Sequence, residues 1–211
     1  ELGITSINKA LFDVGLSTHQ LDESGRGFTF RKEEPLQMTL EHDPNEAHTT
    51  ARQIVNEWSE ESIADIIHGF GEERFARRIA KTITEAREQT PIETTGQLAD
   101  LVAHAIPKKF HARTLHPATK TFQAIRIAVN DELGALETGL AAAHQLLAPN
   151  GRIAVISFHS LEDRIVKRFF RDKKQAEEGE VLTKKPITPT PAEIMHNSRA
   201  RSSKLRIFQK K

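Results

Sequence analysis

The chain has 211 residues, enough to bury a substantial core and to form one or two domains. It contains no cysteine, which excludes disulfides and thiolate metal sites and suits a cytoplasmic protein. No apolar run reaches membrane-spanning length and no signal peptide opens the sequence, so we expect a cytoplasmic location and no membrane partner. With 30 Lys and Arg against 29 Asp and Glu, the net charge of +1 excludes little by itself.

The charge is unevenly distributed along the chain. Residues 152–211 carry 15 Lys and Arg but 7 Asp and Glu, whereas residues 1–60 carry 5 and 11. A basic C-terminal third fits a surface that faces phosphate groups. A solvated charge run gives the same composition, and charge alone leaves both interpretations open.

An apolar segment near the N-terminus predicts the first strand. It ends at Asp13 and is followed by a glycine at position 15, which predicts a buried strand that delivers Asp13 to its carboxyl end before a tight loop. On this pattern alone, Asp13 is a strand-end residue that caps the loop. The glycine-rich stretch at residues 24–28 is either a nucleotide contact or an ordinary turn. The apolar members of the segment are Ile4, Ile7, Ala10, Leu11 and Phe12.

From about residue 45 to residue 117 the apolar residues recur at helical spacing. Capping boxes at Thr50–Gln53 and Thr94–Gln97 predict the starts of two helices. Such stripes are typical of a core, so an all-α module is predicted here. The glycines at 69 and 71 are not a dinucleotide fingerprint, because they follow a helix and precede two acids.

A basic linker follows the helical module, with Phe110 among its cations. This pattern is typical of a nucleic-acid contact strip, and a solvated linker is the alternative. Thr121 is predicted to begin one long helix that reaches Leu147 and returns the chain to the sheet. The cations and histidines of the linker are Lys108, Lys109, His111, Arg113, His116 and Lys120.

The central pattern is a strand, a polar loop and a helix. After a turn at residues 149–151, the run Arg152–Ser157 predicts a strand covered on both faces. Ser160 is predicted to cap the helix that follows. The loop 157–160 thus lies at a strand's carboxyl end, where open α/β sheets bind ligands. Capping or scaffold roles explain the same residues. A serine hydrolase is disfavoured, because no G-x-S-x-G elbow surrounds Ser157 or Ser160.

Two short strand-like segments, 181–183 and 205–208, close the chain and are predicted to form an antiparallel pair.

Four blocks of sequence span residues 11–207 and read LFDVGLSTHQLDESGRGFTFRKEEPLQM, HPATKTFQAIRIAVNDEL, SFHSLEDRIVKRF and NSRARSSKLRI. In this order they resemble the RsmH (MraW) family. The family comprises bacterial S-adenosylmethionine-dependent methyltransferases that modify the exocyclic N4 of a cytosine in small-subunit ribosomal RNA. Gln37 and Thr39 depart from the family, which usually has an acid and an arginine there.

The resemblance implies an α/β fold: part of a class I (Rossmann-like) S-adenosylmethionine methyltransferase sheet with an inserted all-α substrate-recognition domain. Residues 1–44 and 119–211 are expected to form the methyltransferase domain, and residues 45–118 the helical RNA-recognition domain. The implied cofactor is S-adenosyl-L-methionine, with no metal. The implied partner is 16S rRNA in the small ribosomal subunit.

The resemblance also implies that Asp13 and Gln20 contact S-adenosylmethionine. The predicted catalytic residues are Asp13, Ser157 and His159, with Asp13 as acceptor and the loop 157–160 lining the base pocket. His159 either takes a proton or only hydrogen-bonds. The predicted RNA-binding residues are Lys108, Lys109, Arg113, Lys120, Arg199 and Arg201.

One unit that the family needs is not found in the sequence. This unit is a strand, a glycine-rich turn and a helix, followed by a strand that ends in an acid, and it holds the cofactor. In the family it precedes the block that begins here at Leu11. We therefore expect a chain that lacks the N-terminal half-sheet, whether truncated, a gene fragment or a degenerate paralogue. Two hypotheses follow: a methyltransferase active only with the missing half, or a non-catalytic RNA- or ribosome-binding remnant.

The strand around Leu11 is then expected to form an unprotected sheet edge. Apart from Lys9 it has none of the charges or prolines that discourage pairing with other chains. The sequence therefore predicts self-association, as a homodimer or a larger species.

Overall fold

The computed structural model describes residues 3–41, 43, 49–112 and 115–211. The chain forms two compact units, of which unit 1 comprises Glu1–Gly15 and Leu133–Lys211, and unit 2 comprises Leu16–Glu132. These limits differ from the expected ones near residues 44 and 118. The reason is packing: Leu36 and Met38 are each 1% exposed in the core shared with the helices of unit 2. The function of each domain stays a prediction.

The described residues form four strands and nine α-helices. The strands are β1 (Ile7–Asp13), β2 (Leu147–Ser157), β3 (Gly179–Val181) and β4 (Lys204–Lys210). The helices are α1 (Thr18–Asp22), α2 (Ala51–Glu57), α3 (Glu60–Gly71), α4 (Ala76–Arg87), α5 (Thr95–Ala105), α6 (Thr119–Asn130), α7 (Glu132–Leu146), α8 (Ser160–Gln175) and α9 (Pro191–His196). Two 3₁₀ turns occupy Lys108–Phe110 and Ser198–Ser202.

Unit 1 is built on one mixed sheet with the order β1-β2-β4-β3. Strands β1 and β2 are parallel, and β4 is antiparallel to both of its neighbours. The predicted terminal pair is confirmed, since Val181 lies opposite Phe208. The core of the unit includes Ile153 of β2 and the stacked rings of Phe170 and Phe208, whose centroids are 5.4 Å apart.

Strand β1 ends at Asp13 as predicted, but it is not buried on both faces. It is an edge strand, and Leu11 is 69% exposed. Phe12 points the other way, because a Cβ added at Gly139 of α7 would lie 3.1 Å from the Phe12 ring. One face of β1 is therefore covered by α7 at Phe12, and the face that carries Leu11 is open.

The turn predicted at residues 149–151 is part of β2. The pairing with β1 jumps from Ile7–Leu147 to Lys9–Arg152, which is a β-bulge. Asn150 adopts a φ of +61° within it. Residues that tolerate positive φ therefore make an irregularity inside the strand rather than a turn before it.

The long helix predicted from Thr121 is two helices, α6 and α7. Asp131 separates them with a φ of +45°. The Asn130 side chain stabilises this break: its amide nitrogen donates to the Met38 carbonyl and its oxygen accepts from the Leu40 amide, each at 2.8 Å. A long-range contact therefore ends a helix that the apolar periodicity continues.

Unit 2 is a helical bundle, as its stripes predict. Both capping boxes, at Thr50–Gln53 and Thr94–Gln97, are confirmed. Helix α3 packs on α4 and α6, and a Cβ added at Gly71 would lie 2.8 Å from the Lys120 carbonyl oxygen. This glycine therefore permits a close helix approach. The apolar side chains with no exposed surface are Ile54, Val55, Ile63, Ile67, Ile79, Ile83, Leu98, Val102 and Ile125.

The glycine-rich stretch at residues 24–28 is a packed turn within unit 2. The Gly27 amide donates to the buried Glu34 carboxylate at 2.9 Å. A Cβ at Gly27 would overlap the Pro35 carbonyl, and its φ is +78°. Both observations explain the glycine without a nucleotide.

Among the described residues, no helix combines the length and the apolar character needed to cross a membrane.

Candidate functional site

The parallel strands β1 and β2 bring their carboxyl ends together in unit 1. Asp13 pairs with Ile156, and the Val14 amide continues the ladder by donating to the Ile156 carbonyl at 3.1 Å. The Asp13 side chain is exposed at this edge. A Cβ added at Gly15 would lie 3.3 Å from the ring of Phe158. The sheet edge therefore presents a carboxylate and an aromatic ring on adjacent loops.

Ser157 ends β2 but turns away from solvent. It is 2% exposed, and its hydroxyl donates to the Lys204 carbonyl of β4 at 3.4 Å. This hydrogen bond is long, so it holds the side chain weakly. The hydroxyl of the predicted catalytic Ser157 is therefore directed at the backbone of the neighbouring strand β4.

His159, not Ser160, is the N-cap of α8. Its Nδ1 accepts from the Glu162 amide at 3.4 Å, while the Glu162 carboxylate accepts from the backbone amides of Phe158 and His159 at 2.7 and 3.1 Å. The prediction failed because serine is a commoner cap, whereas here the imidazole and Glu162 form a capping box. The box fixes the loop that follows β2.

The other ring nitrogen of His159 is also turned toward Glu162. Nε2 lies 3.1 Å from Glu162 Oε1, at an angle that does not make a hydrogen bond. Within the described part of the chain, this buried nitrogen has no hydrogen-bond partner. Burial alone would raise the pKa of the Glu162 carboxyl. Contact with the His159 ring and the two backbone amides reverses this effect, so the pKa is lowered.

Two of the sequence blocks meet across α8 and β4. Arg206 Nε donates to Asp163 Oδ1 at 2.7 Å and its terminal nitrogen donates to Oδ2 at 3.1 Å, while Lys204 Nζ lies 3.5 Å from Oδ2. Burial raises the pKa of Asp163, but the two cations outweigh it and the net pKa is lowered. This pairing was not predicted from the sequence. The signal for it is an acid and an arginine in two separate family-like blocks.

Gln20 lies in unit 2, at the start of α1. Its side-chain oxygen accepts from the Ser17 amide at 2.8 Å, and the Ser17 hydroxyl accepts from the Gln20 amide at 3.2 Å. These bonds form a capping box that was not predicted from the sequence. They explain Gln20 structurally, and its contact with a cofactor stays a prediction.

The predicted RNA-binding residues have different surroundings. Lys108 and Lys109 are exposed on the 3₁₀ turn Lys108–Phe110 of unit 2. Lys120 is engaged, because its Nζ donates to the Glu72 carbonyl at 2.9 Å and lies 3.9 Å from the Glu73 carboxylate. Arg199 and Arg201 are exposed on the turn Ser198–Ser202 of unit 1. Arg113 lies outside the described residues.

The sheet topology and the loops at its carboxyl edge define a Rossmann-like α/β protein of the methyltransferase type. The sequence profile of the MraW methylase family matches residues 1–211. The chain belongs to this family.

Curated relatives agree with this assignment. The chain is 49% identical over 208 residues to the ribosomal RNA small subunit methyltransferase H of Deinococcus radiodurans. This match covers 99% of this chain and 64% of the relative. It is 48% identical over 210 residues to the protein of that name in Deinococcus deserti, and this match covers 100% of this chain and 67% of the relative. The protein of that name in Heliobacterium modesticaldum is 47% identical over 226 residues, and the match covers 100% of this chain and 71% of the relative. The chain thus spans about two thirds of the length of these relatives.

Proposed function

We propose that this chain is part of an S-adenosylmethionine-dependent methyltransferase that methylates the exocyclic N4 of a cytosine in 16S rRNA. In this proposal unit 1 carries the reacting edge and unit 2 recognises the RNA. The observation that carries the proposal is the match of the whole chain to the MraW methylase family. The exposed Asp13 at the joint carboxyl edge of β1 and β2 supports it.

The reaction sets clear demands on the residues of this edge. When bound, S-adenosylmethionine supplies an electrophilic methyl group on a cationic sulfonium. The lone pair of the acceptor amine is delocalised into the ring, so the site must orient the amine and accept its hydrogens. The base must also leave its stack before it can enter the site.

Asp13 fits these demands. Its carboxylate is exposed at the strand end, so it can accept an N–H from the cytosine amine and attract a nearby cation. Phe158 offers an apolar ring against which a flipped base can stack. A side chain at position 15 would crowd that ring, which explains the glycine there.

Ser157 and His159 are proposed to position the loop rather than to touch the base. The Ser157 hydroxyl is bonded to β4, and both ring nitrogens of His159 are directed at Glu162 of the same helix. Of the three predicted catalytic side chains, Asp13 is therefore the one proposed to contact the reacting amine.

The cofactor part of the proposal is tested by isothermal titration with S-adenosylmethionine. The titration uses the 211-residue chain and the same chain joined to the segments of the Deinococcus radiodurans relative outside the matched region. In the joined protein, Asp13→Ala should weaken binding by about 1–3 kcal/mol, the range for leaving a polar group of the cofactor without its partner once the complex buries it. Asp172→Ala, which removes an exposed carboxylate of α8, is the matched control and should bind normally.

Equal affinity of the Asp13→Ala and Asp172→Ala proteins would remove Asp13 from the cofactor site. A joined protein that binds no S-adenosylmethionine, or transfers no methyl group to 16S rRNA, would overturn the proposed function.

The C-terminal cations are proposed to contact RNA phosphates. Replacing Arg199 and Arg201 together with Ala should weaken binding of a 16S rRNA fragment and flatten its salt dependence. The expected change in log–log slope is about 0.7 to 0.9 for each phosphate that is no longer neutralised. Lys184→Ala with Lys185→Ala removes the same charge from another exposed site of unit 1 and serves as the control. An unchanged salt dependence in the Arg199 and Arg201 variant would show that this surface does not contact RNA phosphates.

A further inference from the structure

Unit 2 contains a cavity of about 300 Å³ next to the 3₁₀ turn Lys108–Phe110. Its walls come from the segment before α4, from the basic linker and from the start of α6. The residues that matter for its chemistry are Arg74, Phe75, Phe110, Leu115, His116 and Lys120. We call it the Arg74 cleft.

Arg74 and two phenylalanines form a preorganised stacking platform in the Arg74 cleft. The Arg74 guanidinium carbon lies 4.1 Å from the ring centroid of Phe110 and 4.7 Å from that of Phe75, and the two centroids are 5.2 Å apart. Phe110 nevertheless remains 42% exposed. Aromatic rings and arginine guanidinium planes are the groups on which proteins stack unpaired bases.

The backbone around the platform is held in place. The Phe110 amide donates to the Pro107 carbonyl at 2.8 Å, and the Phe75 amide donates to the buried Glu73 carboxylate at 3.0 Å. Glu73 also lies 3.9 Å from Lys120 Nζ, so these two charges largely offset each other. Little ordering entropy is therefore lost when a ligand stacks on the rings.

Within the lining of the Arg74 cleft, the cations Arg74 and Lys120 are matched by the acids Glu72 and Glu73, and the charge just outside the lining is positive. Within the described ranges, the Arg74 guanidinium has no hydrogen bond and no ion pair beyond its two ring contacts. Arg77 and Arg78 are exposed in the first turn of α4, and Lys108 and Lys109 are exposed on the 3₁₀ turn. These cations favour a ligand that carries several negative charges along its length.

We propose that the Arg74 cleft binds one unstacked nucleotide of single-stranded RNA. Its base stacks on Phe110 and Arg74, and the flanking phosphates lie against the exposed cations of α4 and of the 3₁₀ turn. A duplex keeps its bases paired and stacked, so it cannot use the platform. An acidic peptide can use the cations but gains nothing from stacking. The proposal rests on the proposed function for the identity of the polymer.

The test is fluorescence anisotropy with the whole chain and a labelled single-stranded RNA of roughly 12 nucleotides, within the usual site sizes of such proteins. Phe110→Ala should weaken binding roughly five- to hundredfold, the effect of losing one stacked base, with the salt slope unchanged. Phe110→Trp should restore the affinity, whereas Phe110→Leu should not. Replacing Arg77 and Lys108 together with Ala should instead reduce the salt slope by about 0.7 for each phosphate that these cations neutralise.

Lys81→Ala is the matched control, since it removes an exposed cation of α4 that already pairs with Glu85 at 3.7 Å. It should bind RNA as the parent chain does. Phe110 lies on a short turn and is 42% exposed, so its variants should remain folded at the temperature of the binding assay, which a thermal scan checks.

Three results would overturn the proposal: no binding of single-stranded RNA by the parent chain, equal affinity for a duplex of the same length, or full affinity in Phe110→Ala. If the Arg199 and Arg201 variant loses RNA binding but the Phe110 variant does not, the Arg74 cleft is not an RNA site. The proposed function is not affected by that result. Conversely, the S-adenosylmethionine titration can fail while the dependence on Phe110 persists, which separates the two proposals.

Discussion

Arg206 and Asp163 join strand β4 to helix α8 through two hydrogen bonds in a largely buried setting. The Arg206 side chain is 7% exposed and that of Asp163 is 13% exposed. Arg206→Met should lower the free energy of unfolding by an amount near the lower end of roughly 3–5 kcal/mol, because the Asp163 charge loses its main partner and keeps only Lys204. Urea unfolding measures the change.

The double variant Arg206→Met with Asp163→Leu is the informative control for this pair. Replacing both charges by apolar groups leaves no buried charge unpaired, so most of the lost stability should return. A double variant as unstable as Arg206→Met alone would show that Arg206 acts through packing and not through the ion pair.

His144 lies in the core of unit 1 and is 4% exposed. Its ring centroid is 5.8 Å from that of Phe208 and 6.0 Å from that of Phe169, and its Nε2 lies 3.6 Å from the Glu178 carboxylate. Burial lowers the pKa of His144, and the nearby cations Lys173 and Lys210 lower it further, against the opposing effect of Glu178. The folded chain therefore favours the neutral form of the imidazole.

This lowered pKa predicts how stability depends on pH. The unfolded chain binds a proton at His144 below about pH 6.5, more readily than the folded chain does. The contribution of neutral His144 to the free energy of unfolding is therefore fully present above that pH, and it is lost as the pH falls toward the lowered pKa of the folded chain. Urea unfolding between about pH 7.5 and pH 5.5 should show a smaller pH effect in His144→Phe than in the parent. His196→Gln, at an exposed site in α9, should leave the pH effect unchanged, and equal pH effects in the His144→Phe and parent chains would contradict the prediction.

Helix α3 contains two glycines, Gly69 and Gly71, whose replacement by alanine should change stability in opposite directions. Gly71 faces α6, where an added Cβ would lie 2.8 Å from the Lys120 carbonyl, whereas nothing lies within 4 Å of a Cβ at Gly69. Gly71→Ala should therefore destabilise unit 2 by roughly 1–3 kcal/mol as the helices shift apart. Gly69→Ala should stabilise it by roughly 0.5–1 kcal/mol, because alanine is the better helix former. Thermal unfolding of both variants checks the pair, and a stabilising Gly71→Ala would show that the α3–α6 contact is loose.

At the scale of the whole molecule, the sheet formed by the described strands has an edge at β1 that can pair with another chain. Strand β1 has its outer edge free of other described strands, and the exposed Leu11 lies beside it. We expect the 211-residue chain to self-associate, as unprotected edge strands do. Leu11→Lys should shift it toward the monomer, because a lysine on an edge opposes strand pairing. Leu146→Lys, at another exposed leucine of unit 1, is the control.

Sedimentation velocity over a range of protein concentrations measures this self-association. A parent chain that stays a monomer throughout, or a Leu146→Lys chain that dissociates as readily as Leu11→Lys, would contradict the role of the edge.

Several features of this protein were determined by the sequence alone. The capping boxes at Thr50 and Thr94, the end of β1 at Asp13 and the end of β2 at Ser157 were all predicted at their observed positions. Caps, turns and apolar periodicity depend on residues a few positions apart, so a short stretch of sequence carries the whole signal. The four family-like blocks likewise identified the family that the profile match then showed.

Other features were decided only by tertiary structure, because they depend on residues far apart in the chain. Asn130 ends α6 through Met38 and Leu40, although the apolar periodicity runs on toward Leu147. Arg74 meets Phe110 across the helical bundle, and Arg206 meets Asp163 because β4 lies next to β2. No local pattern encodes these pairings. They follow from which helices and strands pack together, and burial then decides which charges are paired and which pKa values are lowered.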